Sequence, residues 1–248
     1  MAINLADRSS QPLYKEVEQE IMHCLARGEW KPGDRLPSEQ VLADRFGVAV
    51  FTLRAGVQKL AEAGILLRRQ GKGTFVALHR TRPYRNQYLR IYSADGMKAN
   101  WDRELVSVAK ASANEEIANV LRLGEGVAAR AIYQVLFMLR SGGSVVGYVE
   151  SAMSAKLFRG VTESLLRDTV DNLYAVFQES FGVNVIGIEE HVRATTAGRL
   201  GARRIAINAS DPVLRVERVA YTYNDMPVEY RRYNVRADRY YYCFAPDS

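Results

Sequence analysis

Three short helical stretches followed by a glycine-rich hairpin, all between residues 12 and 78, constrain this chain more than any other feature. In residues 12–27, Leu13, Val17, Ile21 and Cys24/Leu25 recur at three- and four-residue spacing, with Lys15, Glu16, Glu18 and Gln19 on the other face. That pattern predicts an amphipathic helix, with Pro12 suited to its first turn and Gly28 to its stop. Trp30-Lys31-Pro32-Gly33-Asp34 then signals a turn. Ser38 is a good N-cap for a second helix running through Val41, Leu42 and Phe46 to Gly47. A third helix is expected over 50–63, with Leu53, Val57 and Leu60 inward, stopping at Gly64. Strands over Ile65–Arg69 and Thr74–Leu78 are joined by Gln70-Gly71-Lys72-Gly73, a hairpin by its glycines. Only Gly47-Val48-Ala49 separates the second and third helices, the tight turn that a helix-turn-helix needs. The outline is a winged helix.

A winged helix presents the N-terminal residues of its third helix to the major groove of double-stranded DNA. The polar candidates there are Thr52 and Arg54. Arg68, Arg69 and Lys72 on the hairpin would lie beside phosphates or reach into the minor groove. The 248-residue chain has a formal charge of +6, which is informative only where it clusters. Residues 44 to 74 hold Arg45, Arg54, Lys59, Arg68, Arg69 and Lys72 against Asp44 and Glu62. Much of the excess thus sits in one stretch, as a footprint for phosphates requires. No apolar run approaches the ~18 residues of a membrane span, and MAINLADRSSQPLY lacks the apolar core of a signal peptide. A cytoplasmic protein with no membrane partner is expected. Cys24, on the apolar face of the first helix and far from Cys243, reads as a buried free thiol.

Residues 79–92, with His79-Arg80-Thr81-Arg82-Pro83-Tyr84-Arg85, are polar, basic and broken by proline, and read as a linker. Beyond them, Leu105–Ala111 reads as a strand and Asn114–Leu121 as a helix capped at Ala113 or Asn114. Val127–Leu139 and Val145–Met153 read as a hairpin around Ser141-Gly142-Gly143-Ser144. A helix over Asp171–Phe181, a strand over Val183–Thr195 and a helix over Thr196–Ile205 follow. Val213–Tyr223 and Val228–Val235 form a last hairpin around Asn224-Asp225. The aromatic tail Tyr240–Phe244 has the periodicity of core or dimer interface more than of a base-stacking platform. Long antiparallel hairpins with intervening helices indicate an α+β domain. The expected division is therefore 1–78, a linker over 79–92, and 93–248.

The string Gly33-Asp34-Arg35-Leu36-Pro37-Ser38-Glu39, then Leu42-Ala43, Phe46-Gly47-Val48, Thr52-Leu53-Arg54, Gly64-Ile65-Leu66 and Arg69-Gln70-Gly71-Lys72-Gly73-Thr74-Phe75-Val76, closely resembles the GntR family of bacterial regulators. The second part is similar to the UTRA effector domain of its HutC subfamily. The similarity is carried by Gly147-Tyr148-Val149-Glu150-Ser151, Asp171-Asn172-Leu173-Tyr174 and Pro227-Val228-Glu229-Tyr230. The resemblance implies a chorismate-lyase-like α+β sheet domain behind the winged helix. It also implies a homodimer on inverted-repeat operator DNA, usually a repressor that a small-molecule effector releases. The DNA-contacting positions it implies are Arg35, Ser38, Gln40, Thr52, Arg54, Arg69, Gln70, Gly71, Lys72, Gly73 and Thr74. Those implied for the effector are Glu150, Asn172, Tyr174, Glu229 and Arg231, although Glu150 has an alternative as an ion-pair partner of Arg130 or Arg231.

Several positions depart from the family pattern. Ala49 and Val50 stand where Ser or Thr followed by Arg is usual, losing a helix cap worth ~1 kcal/mol and a contacting arginine. Gln40 stands where many members have Arg; Gln suits adenine and Arg suits guanine, so an operator less dependent on guanine is expected. Members that bind phosphorylated sugars hold the phosphate with two arginines on the strand before the first hairpin. Gln134 and Leu136 stand in their place, so a phosphosugar effector is not expected. Two acidic side chains suit an effector with amino or hydroxyl groups.

The competing reading is an enzyme, with Glu150, His191 and Arg193 as an acid–base set. No nucleophile–base–orienter spacing, phosphate loop or metal-ligand spacing supports it; His23, His79 and His191 fall on a helix, in the linker and on a strand. His191, flanked by Glu189 and Glu190, reads as a salt-linked strand residue. No catalytic residue, cofactor or metal is expected.

Overall fold

The computed structural model describes residues 12–78, 90–167 and 173–244. The chain divides into two compact units. Residues 12–78 hold α1 (Leu13–Ala26), α2 (Glu39–Phe46), α3 (Val50–Glu62), β1 (Leu66–Arg69) and β2 (Gly73–Val76). Val17, Ile21, Leu42, Phe46, Leu53, Val57 and Leu66 are buried and form the core. The helix start at Ser38 is as expected: its Oγ accepts from Val41 N–H at 3.3 Å. Gly47 ends α2 in the left-handed conformation (φ 67°), which glycine adopts without a Cβ penalty. Arg35 makes an isolated antiparallel bridge to Phe75 of β2, with Leu36 N–H donating to the Thr74 carbonyl and Val76 N–H to that of Asp34, both at 2.9 Å.

Helices α1 and α3 meet at Gly56. A Cβ there would stand 2.8 Å from Val17 Cγ1 and 2.9 Å from the Tyr14 carbonyl oxygen. A backbone atom cannot swing aside as a side chain can, so the helices would have to separate. Gly56→Ala is expected to cost about 1–3 kcal/mol as an overpacked core does, read as a lowered denaturant midpoint. Ala49 begins α3 in extended conformation with no side-chain hydrogen bond to the helix. Ala49→Ser should raise stability by about 1 kcal/mol by satisfying a free N–H of the first turn.

The second unit contains β3 (Ile91–Ser93), β4 (Asp102–Ser112), α4 (Glu115–Val120), β5 (Ala131–Ser141), β6 (Ser144–Ser154), α5 (Glu163–Arg167) and α6 (Leu173–Phe181). It continues with β7 (Gly187–Thr196), α7 (Gly198–Ile205), β8 (Pro212–Thr222), β9 (Met226–Arg236) and β10 (Tyr240–Tyr242). A six-stranded sheet runs in the order β4-β5-β6-β9-β8-β7, and β10 pairs with β3 alone. One face, here called inner, is covered by α5 and α6: Leu166, Tyr174 and Phe177 share a core with Val135, Phe137, Val149, Met153 and Tyr233. On the outer face, Ile117 of α4 packs with Ile132, Ala152 and Tyr230. Ile205 of α7 packs with Tyr148 and Val213.

Several element bounds differ from those read in the sequence. β5 starts at Ala131, because Gly126, with φ 94°, opens a turn that leaves Val127 85% exposed. β7 starts at Gly187, after Val183 and Val185 bury their side chains outside any strand, and it continues to Thr196, so α7 begins at Gly198. Asn114 caps α4, its Oδ1 accepting from Ile117 N–H at 2.9 Å. β3 begins inside the stretch read as linker; Ile91 and Tyr92 pair with Tyr242 and Tyr241. That gives the aromatic tail a partner: Tyr240 packs edge-on against Trp101, and Tyr241 stacks on Tyr92.

Candidate functional sites

At the first site, the starts of α2 and α3 and the β1–β2 hairpin converge. Glu39, in the first turn of α2, accepts from Arg54 Nε of α3 at 2.9 Å and from Arg68 of β1 at 2.5 Å. The other arm of Arg68 donates to Gln58 Oε1 at 3.1 Å. One carboxylate thus ties three elements together and partly neutralises two of the cations singled out by the sequence. A cleft of about 380 Å³ opens beside it, lined by Arg35, Ser38, Arg68, Arg69, Gln70 and Thr74 among others. Arg35 lies along Gly73, where a Cβ would be 2.9 Å from its Nε. The Arg69 guanidinium sits over Phe75 at 5.0 Å, while Lys72 and Gly71 lie exposed at the hairpin turn. Arg35 and Arg69 thus line the cleft, and Arg54 reaches its rim through Glu39.

The other cations of the cluster have local roles. Arg45 forms an ion pair with Glu29 and lies 5.7 Å over Trp30, and Lys59 pairs with Glu62 at 2.8 Å. Gln40 donates to Asp44 at 2.9 Å, an exposed bond that water or a base edge can replace. Phe51, which with Gln40, Ala49 and Val50 replaces much of the family's usual reading edge, is 79% exposed at the start of α3. Cys24 is buried, and burial pushes its thiol above the usual range.

The second site is a buried polar cluster on the inner face of the sheet. Successive side chains of a strand alternate between faces, so Glu229, Arg231 and Tyr233 of β9 point inward while Tyr230 and Arg232 point outward. Arg231 donates to Glu229 Oε1 from Nε and Nη2, at 3.0 and 2.7 Å, and to the Tyr233 hydroxyl at 3.0 Å. The Ser151 hydroxyl donates to the same Glu229 oxygen. Tyr174 of α6 places its ring 5.4 Å from the Arg231 guanidinium. Arg218 lies 5.3 Å over Tyr233 and pairs with Glu190 at 2.7 Å. Glu229 is fully buried, and its Oε2 has no hydrogen-bond partner among the described residues.

Burial opposes ionisation of Tyr233, but the charges of Arg218, Arg231 and Arg103 outweigh it and bring its pKa down from 10.0 to about 7. Because the native value lies below the unfolded one, ionisation favours the folded state. That contribution is full above the unfolded value, shrinks as pH falls through the native one, and is absent below it. Absorbance at 295 nm should show one tyrosinate forming near pH 7 in the wild type and none there in Tyr233→Phe. Absence of that step from the wild type would contradict the assignment.

Tyr174, Glu229 and Arg231 are thus brought together; Asn172 lies outside the described residues. Glu150 is not with them. β6 pairs Glu150 with Arg232 and Ser151 with Arg231, so Glu150 stands on the outer face and Ser151 takes the inward place. Neither ion-pair partner expected for Glu150 is found: Arg130 pairs with Glu115 and Arg231 with Glu229. Glu150 instead accepts from Arg204 of α7 at 2.7 Å. The two sit in an outer cavity of about 280 Å³ with Gln134, Tyr230 and Arg232. Arg232 is held there by Glu116. His191 stands on β7 with its Nε2 3.3 Å from Glu189 Oε1, an ion pair only when the imidazole is protonated.

Gln134 and Leu136 face the same outer cavity. The inward positions of that strand are Val135 and Phe137, so neither face of β5 offers an alternating pair of arginines. Among the described residues no helix is long and apolar enough to cross a membrane, and no group of three or more His, Cys, Asp or Glu is placed to hold a metal ion.

Comparison with known proteins gives one family for each unit. The UTRA domain model matches residues 96–241, and that of bacterial regulatory proteins of the gntR family matches residues 13–76. The HTH-type transcriptional repressor NagR of Bacillus subtilis (strain 168) is 24% identical over 244 residues, covering 96% of each chain. A probable fructoselysine utilization operon transcriptional repressor of Escherichia coli (strain K12) is 26% identical over 243 residues, covering 93% of each. Among solved structures, a ligand-binding domain from Bordetella bronchiseptica superposes with a TM-score of 0.58 at 26% identity, over 65% of this chain and 98% of that one.

Proposed function

Because the chain belongs to the gntR family of bacterial regulatory proteins and carries their UTRA domain, a DNA-binding regulator governed by a small molecule, we propose that it represses a metabolic operon as a homodimer. In this reading residues 1–78 bind one half of an inverted repeat, 79–90 link, and the unit that begins with β3 at Ile91 dimerises and takes the effector. Arg35, Ser38, Arg54, Arg69, Lys72 and the glycine-bearing turn lie on phosphates, and Gln40 and Thr52 face base edges. Gln40 favours adenine, so the operator depends less on guanine than one read by arginine. Selection of binding sites from random duplexes tests this; a guanine-rich half-site contradicts it.

The effector is an amino- or hydroxyl-bearing molecule without a phosphate, bound against Tyr174, Glu229 and Arg231. The observation that carries this is Glu229 Oε2, a fully buried carboxylate oxygen with no donor among the described residues. A buried acceptor left unpaired costs about 1–3 kcal/mol, which a ligand N–H or O–H would recover. Arg231 and Arg218 are already committed to Glu229 and Glu190, and β5 supplies no second phosphate clamp. Thermal-shift screening of amines, amino acids, sugars and sugar phosphates is the test. A true effector at 100 times its Kd adds about 2.7 kcal/mol, a rise of roughly 5–10 °C for a chain of this size. A rise with sugar phosphates alone contradicts the reading.

A further inference from the structure

A phenylalanine left 79% exposed in the first turn of α3 is the least explained side chain of the reading edge. It is not an isolated surface residue. Thr52 follows it, and Arg54, one turn on, is 57% exposed at the side chain and tied to Glu39. The cleft with Arg35, Arg68 and Arg69 lies on the same side of the unit as Glu39. The apolar tip thus stands one turn from Arg54, whose partner Glu39 borders the basic cleft, at the helix turn that enters the major groove in a helix-turn-helix. Val50 beside it is only part-buried, so neither residue at the start of the helix can donate or accept a hydrogen bond by its side chain. The apolar group that a major groove displays is the C5-methyl of thymine.

We propose that Phe51 reads thymine methyl groups, and that each operator half-site carries a thymine facing the first turn of α3. This rests on the DNA-binding reading of the winged helix and adds to it a base preference that hydrogen-bonding residues alone do not supply. Burying one methyl against the ring is worth about fourfold in affinity by the transfer scale for a CH₂ group. Uracil removes that methyl and leaves the base-pairing edge unchanged, so it isolates the contact.

The test uses the full chain and a duplex obtained by selection from random sequence, with dissociation constants from fluorescence anisotropy. Thymines are replaced by uracil one at a time, for the wild type and for Phe51→Ala. The exposed position predicts an unchanged melting temperature for the variant, and Phe51→Leu serves as a variant that keeps an apolar tip. At one or two positions per half-site, uracil should weaken wild-type binding about fourfold and leave Phe51→Ala unaffected, with Phe51→Leu between. Uracil that costs nothing at every position, or costs the wild type and Phe51→Ala equally, overturns the proposal while the salt-dependent binding of the duplex stands. Recovery of no duplex at all overturns the DNA-binding reading and this proposal together.

Discussion

Glu229→Ala is expected to destabilise the second unit by about 3–5 kcal/mol, the cost of leaving a buried charge without its partner. Arg231 lies within the same inner cluster and makes its two carboxylate bonds to Glu229 alone. With that carboxylate gone, the guanidinium keeps the Tyr233 hydroxyl but faces Arg218 and Arg103 across the same space, where like charges repel. A transition of a domain this size should fall by roughly 10 °C or more. Glu229→Gln keeps an acceptor oxygen and should cost less. Removing both charges, Glu229→Leu with Arg231→Met, should cost less than Glu229→Ala alone, because apolar replacement of a whole buried pair is often neutral. Calorimetry of the full chain checks the order. A double variant less stable than Glu229→Ala would show that the cluster is held by packing and not by paired charge.

Raising salt from 50 to 200 mM should weaken specific DNA binding about 10³–10⁵-fold, as for a protein that neutralises 6–10 phosphates. In the proposed dimer each head would offer Arg35, Arg54, Arg68, Arg69 and Lys72, and Glu39 sits between two of them. On DNA, Arg54 and Arg68 would exchange a carboxylate partner for phosphate. Glu39→Gln should therefore strengthen non-specific binding and steepen the salt slope. Arg69→Gln and Lys72→Gln should each reduce the slope by about 1 per head engaged, with little change in sequence preference. A slope unaffected by either hairpin substitution would remove the wing from the interface.

The winged helix was legible in the sequence because its signals are local: Ser38 as cap, Gly47 as stop, and the glycines around Lys72. The same holds for the β5–β6 and β8–β9 hairpins and for the family resemblance at Glu229 and Tyr174. What escaped depends on long-range register. A strand shifted by one residue turns every side chain to the other face, so the pairing of Ser151 with Arg231 decides that Glu150 faces outward, and nothing near Glu150 announces it. β3 escaped for a related reason: three residues, Ile91–Ser93, form a strand only because a distant tail pairs with them. Glu39 reaches partners 15 and 29 residues away, beyond any helical spacing. Phe51 was legible as a departure at the reading edge, but its exposure was not, because an apolar residue at a helix start can equally pack inward.

An effector changes DNA occupancy only if it binds one state of the protein better than the other. The most direct measurement is therefore anisotropy of the full chain on its selected duplex, with each candidate metabolite titrated in, for the wild type and Glu229→Gln. The account predicts that a phosphate-free amino- or hydroxyl-bearing molecule releases the wild type from DNA. It also predicts that the same molecule fails to release Glu229→Gln, while both proteins bind the duplex alike without it. Release that proceeds equally in Glu229→Gln, or that only phosphorylated sugars achieve, would contradict it.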